Sequence, residues 1–149
     1  MTQTIDREFL ILLHEVAHFC RTRVDQVART RGMTRAQWVT LAKLERQPGL
    51  TQNDLASLLE VEPITAARLV DRLEAQGYLE RRPDPKDRRV WRLHLLPASE
   101  PLLKEITRYR AEFQREITQG IDPKTLEIIR EGLLQMKANL TDGRARNAV

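Results

Sequence analysis

Residues 51–96 read TQNDLASLLEVEPITAARLVDRLEAQGYLERRPDPKDRRVWRLHLL, and the order of signals in this stretch decides the fold. Thr51 with Asp54 three residues on is a capping pair, and it opens a short helix carrying Leu55, Leu58 and Leu59. Glu60-Val61-Glu62 makes a tight turn. Pro63 then falls in the first turn of a second helix, where its missing N–H costs nothing. That helix runs to Gln76 and stops at Gly77, as helix C-termini prefer. Beyond Gly77 the period changes. Tyr78 to Arg82 reads as a short strand. Val90 to Leu95 alternates Trp91, Leu93 and Leu95 against Val90, Arg92 and His94, the pattern of a half-buried strand. Between them Pro83-Asp84-Pro85-Lys86-Asp87-Arg88-Arg89 is a turn-rich, basic hairpin tip. Two short helices, a tight turn and a basic β-hairpin, in that order, make a winged helix-turn-helix.

Such a unit lays its second helix in the major groove of double-stranded DNA, with the N-terminal half against base edges. Here Leu69, Val70 and Leu73 form the inward face, while Thr65, Arg68 and Arg72, spaced three and four, point outward. Arg68 has the fork to pair with guanine, and Thr65 can meet a base, a thymine methyl or a phosphate. The wing holds Arg81, Arg82, Lys86, Arg88, Arg89 and Arg92. An arginine at the tip suits a narrow, electronegative minor groove.

Helices flank this unit on both sides. From Thr4 to about Arg31, apolar residues recur at Phe9, Leu12, Leu13, Val16, Phe19, Cys20, Val24 and Val27, which is helical spacing. A second helix opens at Thr34 with Gln37 as its capping partner and ends near Pro48-Gly49. After Pro97, Leu102, Ile106, Tyr109, Phe113 and Ile117 mark another helix, which Gly120 breaks. Asp122-Pro123 starts the last one. Its Leu126, Ile129, Leu133, Met136 and Leu140 form a heptad-like seam that wants a partner helix. Residues from Thr141 onward are expected to fray. The expected fold is mainly α with a small β-hairpin: a winged helix-turn-helix over residues 34–96, flanked by N- and C-terminal dimerisation helices at 1–33 and 97–149, all one intertwined domain.

Composition bounds the alternatives. The 149 residues are 41% hydrophobic and 31% charged, a globular composition. Aromatics are only 5%, so aliphatic side chains must fill the core. A single cysteine, Cys20, excludes an intrachain disulfide and a cysteine-based zinc finger. No apolar run approaches the roughly 18 residues of a membrane span. Met1-Thr2-Gln3-Thr4 lacks the basic start of a secretion signal, so the expected compartment is the cytoplasm. The net charge is +4, and residues 81–92 alone hold six basic and two acidic side chains, leaving the rest of the chain in balance. The excess sits on the hairpin.

The wing Asp84-Pro85-Lys86-Asp87-Arg88-Arg89 followed by Val90-Trp91-Arg92-Leu93-His94-Leu95 resembles the signature of the MarR family, with Leu96 where threonine is usual. Leu69-Val70-Asp71-Arg72-Leu73-Glu74 up to Gly77 is similar to that family's recognition helix, with Glu60 where glycine is common before it. Met33 to Leu41 and Glu100-Pro101-Leu102-Leu103 are similar to helices of its SlyA-like branch. The resemblance implies a homodimer built from the first and last helices, bound to a palindromic promoter site. It implies that Thr65 and Arg68 read the major groove and that Arg89, beside Arg88, enters the minor groove, held by Asp87. It also implies control by a small aromatic or phenolic effector between the dimer helices and the DNA unit. Trp38 matches a tryptophan at that cleft. His14, His18, Arg21 and Asp25 share one face of the first helix, so His14, His18 and Arg21 are expected beside Trp38 to meet an anionic effector.

His14-Glu15-Val16-Ala17-His18 also satisfies H-E-x-x-H, the zinc-peptidase pattern. A catalytic zinc needs a third protein ligand. The only other histidine, His94, lies in the wing, and Arg21 and Val24 stand where the elongated motif has glycine and histidine. A metal-responsive regulator using His14 and His18 is the alternative, and a zinc hydrolase a remote one. No catalytic residue, metal or cofactor is expected. Cys20 lies on the apolar stripe, so burial rather than redox sensing is expected of it.

Overall fold

The computed structural model describes residues 6–146. The first five residues and the last three, read above for a leader and for fraying, lie outside the described residues. The elements are α1 (Asp6–Arg29), α2 (Arg35–Arg46), α3 (Gln52–Leu59), α4 (Pro63–Ala75), β1 (Leu79–Pro83), β2 (Trp91–Leu95), α5 (Glu100–Ile117) and α6 (Pro123–Arg146), with a single 3-10 turn at Pro97–Ser99 before α5. The chain divides into two units, one ending at Thr107 and one beginning at Arg108.

Local chemistry explains the boundaries of the first unit. Thr34 and Gln37 form a reciprocal capping box on α2, and Thr51 and Asp54 form one on α3, so two orphan N–H groups are satisfied at each start. The turn after α3 places Glu60 in the left-handed region at φ 54°, ψ 43°. Its N–H and that of Val61 close back on the carbonyls of Ser57 and Ala56. A non-glycine residue therefore carries the conformation that redirects the chain into α4.

β1 and β2 pair antiparallel, with Leu79 opposite Leu95 and Pro83 opposite Trp91. Residues 49–51 run beside β2 and are tied to it by backbone hydrogen bonds and one bridge. The N–H of Gly49 donates to the Leu93 carbonyl, Leu93 N–H to the Leu50 carbonyl, and Thr51 bridges Arg92. Gly49 takes φ 84° there, which a side chain would strain. The core gathers Trp38, Leu41 and Leu44 of α2, Leu55 of α3, Ala66, Val70 and Leu73 of α4, and Leu79 and Leu93 of the hairpin. Burying each large aliphatic side chain contributes about 1.5–3 kcal/mol.

α1 departs from expectation. Ala28 near its end is buried, but Phe9, Leu12, Leu13, Val16 and Phe19 are 38–63% exposed. Cys20 is half-buried rather than buried. The helical spacing is right, yet the apolar stripe of α1 is largely uncovered.

In the second unit Asp122 caps α6, accepting from the Thr125 N–H at 3.0 Å and the Thr125 hydroxyl at 2.6 Å. These bonds hold its carboxyl below the usual range, the hydroxyl bond first. α6 continues to Arg146, past the fraying expected from Thr141. Ile129, Leu133 and Leu140 of the seam are exposed, and Leu126 and Met136 half-buried. Among the described residues, no helix is long and apolar enough to cross a membrane.

Candidate nucleic-acid interface

α4 buries Ala66, Val70 and Leu73 and leaves Thr65, Arg68 and Arg72 exposed on its other side. Leu69 is half-buried, at the edge of the inward face. Among the described residues no ion pair engages Arg68 or Arg72, so both guanidinium groups are available to a ligand. Ile64, near the start of the same helix, is 61% exposed. An aliphatic group there suits a thymine methyl.

The wing tip is built around two aspartates. Asp84 accepts from the backbone N–H groups of Lys86 at 2.7 Å and Asp87 at 3.2 Å, which folds the turn back on itself. Asp84 N–H donates to the Val90 carbonyl and Val90 N–H to the Asp87 carbonyl, closing the loop. Asp87 accepts from the Arg89 backbone N–H at 3.0 Å and from Arg89 Nε at 3.2 Å. The Arg89 side chain is 91% exposed, so it projects into solvent with its base oriented by Asp87. Arg88 and Lys86 are exposed beside it.

Not every basic residue of the wing faces outward. The Arg81 side chain, 20% exposed, pairs with Asp71 at 2.6 Å and Glu74 at 3.1 Å on α4. It also donates to the Gln52 side chain on α3 at 3.2 Å and to the Ala67 carbonyl at 3.4 Å. Arg92 donates to Asp84 through Nε and to the Gly49 carbonyl at 2.9 Å. The Arg92 bond, first among several, holds the Asp84 carboxyl below the usual carboxylate range. Arg82 and Arg92 face each other across the hairpin, where like charges repel. Arg82 is neutralised by Glu80 at 2.6 Å and Arg92 by Asp84, which lets the register stand. Counting charge along the sequence could not separate these clamps from the tip. The available signal was the acidic pair Asp71 and Glu74, three apart on an otherwise basic helix face.

The residues expected at an effector site lie apart in character. His14, His18 and Arg21 are exposed on α1, while Trp38 is buried at 4% exposure. Asp25 of the same α1 face pairs with Arg35 at 3.6 Å. Among the described residues no group of three or more His, Cys, Asp or Glu side chains is placed to hold a metal ion, so His14 and His18 gain no third ligand.

Comparison with known proteins agrees with this geometry. The sequence model of the MarR family matches residues 33–91, which span α2 to the start of β2. The HTH-type transcriptional regulator YsmB of Bacillus subtilis (strain 168) is 26% identical over 125 residues, covering 84% of this chain and 86% of its own. The structure of the transcriptional regulator PA3341 superposes with a TM-score of 0.82 at 32% identity, over 90% of this chain and 98% of that one. MepR of S. aureus, solved as a complex with DNA, superposes with a TM-score of 0.73 at 25% identity, over 87% and 96% of the two chains. The fold, the capped helix pair and the wing signature therefore have one reading: the chain belongs to the MarR family of helix-turn-helix transcriptional regulators.

Proposed function

We propose that the protein is a cytoplasmic homodimer that binds a palindromic promoter site on double-stranded DNA and is released by a small aromatic or phenolic effector. The observation that carries the DNA reading is the joint presentation of two unpaired arginines on α4 and of Arg89, 91% exposed, at the wing tip. Thr65, Arg68 and Arg72 serve the major groove. Arg89, steered by Asp87 and flanked by Arg88, serves the minor groove. That MepR was solved with DNA supports the same use of a shared fold. Two-fold symmetry sets the half-sites roughly 10 base pairs apart.

The exposed apolar residues of α1 and of α6, among them Phe9, Val16, Leu133 and Leu140, support dimerisation through the first and last helices, because apolar patches of this extent mark association surfaces. For the effector, His14, His18 and Arg21 supply exposed positive or hydrogen-bonding groups. Trp38, being in the core, acts as a wall of the site rather than an open stacking face. An effector that favours a spacing of the two α4 helices unfit for DNA shifts the population off the operator.

The test is selection of genomic fragments bound by the purified protein, followed by anisotropy titrations on the recovered site. Arg68→Ala is expected to relax base preference and Arg89→Ala to weaken binding. Wild-type affinity in both variants would overturn the assignment. DNA affinity that stays constant across a panel of aromatic acids and phenols would overturn the effector reading. Sedimentation of a monomer at micromolar concentration would overturn the dimer.

A further inference from the structure

Trp91 is 48% exposed, whereas the only other tryptophan, Trp38, is 4% exposed. An indole carries a large apolar area, and leaving half of it in water forgoes the gain of burial. The register accounts for its direction. Trp91 lies two residues before Leu93 on β2, so both point to the same face of the hairpin. Leu93 is fully buried, but Trp91 stands where the core has ended. It borders an open cleft of about 230 Å³ lined by Thr51, Gln52, Asn53, Arg89, Val90 and Trp91.

The walls of this cleft differ in chemistry. One side is the apolar indole. The other offers the exposed Asn53 amide and, at the mouth, the Arg89 guanidinium. Among the described residues that line it there is no carboxylate; Asp87 is engaged by Arg89 at 3.2 Å, and the nearby Asp54 by the Thr51 N–H. The cleft is also fixed relative to the base-reading helix. Gln52 of the same α3 turn accepts from Arg81, whose guanidinium grips Asp71 of α4. An apolar platform beside the Asn53 amide donor matches a deoxyribose joined to a phosphate.

We propose that the cleft between Trp91 and the first turn of α3 seats the sugar–phosphate backbone of bound DNA, with Trp91 against a deoxyribose and Asn53 on the adjoining phosphate, while Arg89 leaves the edge of the cleft for the minor groove. The proposal rests on the DNA-binding reading and deepens it. Its contact is indifferent to sequence. It fixes the position of the protein along the duplex while α4 reads bases.

Trp91 also reports on itself. Acrylamide, a neutral quencher, reaches the exposed indole of the free protein and not the buried Trp38, and Trp91→Phe gives the Trp38 background. Saturation with the selected operator duplex, monitored independently by anisotropy, is expected to remove at least half of the Trp91 quenching. Trp91→Ala is expected to weaken binding about 5- to 30-fold, in the lower part of the range for aromatic contacts to nucleic acid. The loss is expected to be equal on the operator and on an unrelated duplex of the same length. Trp91→Phe, which keeps a flat apolar ring, is expected to stay within about threefold of wild type. Asn53→Asp is expected to cost tenfold or more at low salt through repulsion of the phosphate. DNA binding with Trp91 still fully quenchable, or Trp91→Ala within twofold of wild type, overturns the seat and leaves the DNA reading standing. A Trp91→Ala loss confined to the operator also overturns it, since that marks base readout. Absence of any DNA binding by the wild type overturns both.

Discussion

Arg81 is held inward by α3 and α4 whereas Arg68 is exposed, and replacement of Arg81 by alanine gives the sharpest test of that distinction. The change removes two ion pairs, at 2.6 and 3.1 Å, whose carboxylates on Asp71 and Glu74 are 65% and 42% exposed. Solvent screens such pairs to about 0.5 kcal/mol each. The bond to Gln52 on α3 adds about 1 kcal/mol, and the packed stem, on a side chain only 20% exposed, about another 1 kcal/mol. The carboxylates left behind rehydrate, so no buried charge is stranded. The expected loss is therefore about 2–3 kcal/mol, or roughly 4–12 °C in melting temperature for a chain of this size. Urea and thermal unfolding followed by circular dichroism, at one fixed protein concentration, measure it. Asp71→Asn is expected to cost about 0.5 kcal/mol, with a coupling to Arg81 of about 0.5–1 kcal/mol in a double-mutant cycle. Arg68→Ala is expected to stay within about 0.5 kcal/mol of wild type, like other surface changes, while impairing DNA binding. A loss below 1 kcal/mol for Arg81→Ala, or no difference between the Arg81 and Arg68 variants, refutes the clamp.

Glu60→Gly removes a side chain from the left-handed region, a gain of about 1–2 kcal/mol, partly offset by about 0.5–1 kcal/mol of backbone entropy. A net stabilisation of about 0.5 kcal/mol is expected by urea unfolding, and a destabilised variant contradicts it. Because Asp84 has a carboxyl held low by Arg92, its contribution to wing stability is full above the ordinary carboxylate pKa of about 4 and is lost as pH falls through the lowered value. NMR titration of the wing is expected to show opening below that range, and Asp84→Asn to remove the dependence. Thr51→Ala breaks the α3 capping box and is expected to cost about 1 kcal/mol. An unchanged melting temperature would show the cap to be idle.

Much of the architecture was legible because it is written in local chemistry. The pairs Thr34/Gln37 and Thr51/Asp54 are capping boxes in the folded chain, and the changed period after Gly77 is a hairpin whose strands begin one residue later than read. Val70 and Leu73 point inward and Thr65, Arg68 and Arg72 outward, since a single helix fixes their relative directions. What depends on long-range pairing was not legible. Arg81 and Arg92 are drawn inward by Asp71, Asp84 and the Gly49 carbonyl, partners up to 43 residues away. Trp91 alternates correctly with Leu93, yet alternation gives no sign of where the core stops. The stripe on α1 has helical period, but period does not tell whether the covering surface comes from the same copy of the chain.

If a second copy of the chain covers that stripe, the lifetime of the protein follows its abundance. The single chain offers Phe9, Leu12, Val16 and Phe19 to water, the kind of surface that chaperones and proteases act on. If a second copy covers it, mass action makes pairing protective, and resistance to unfolding rises with the number of molecules in the cell. Dilution at cell division would then remove more regulator than halving alone, since scarce copies spend longer unpaired and are degraded faster.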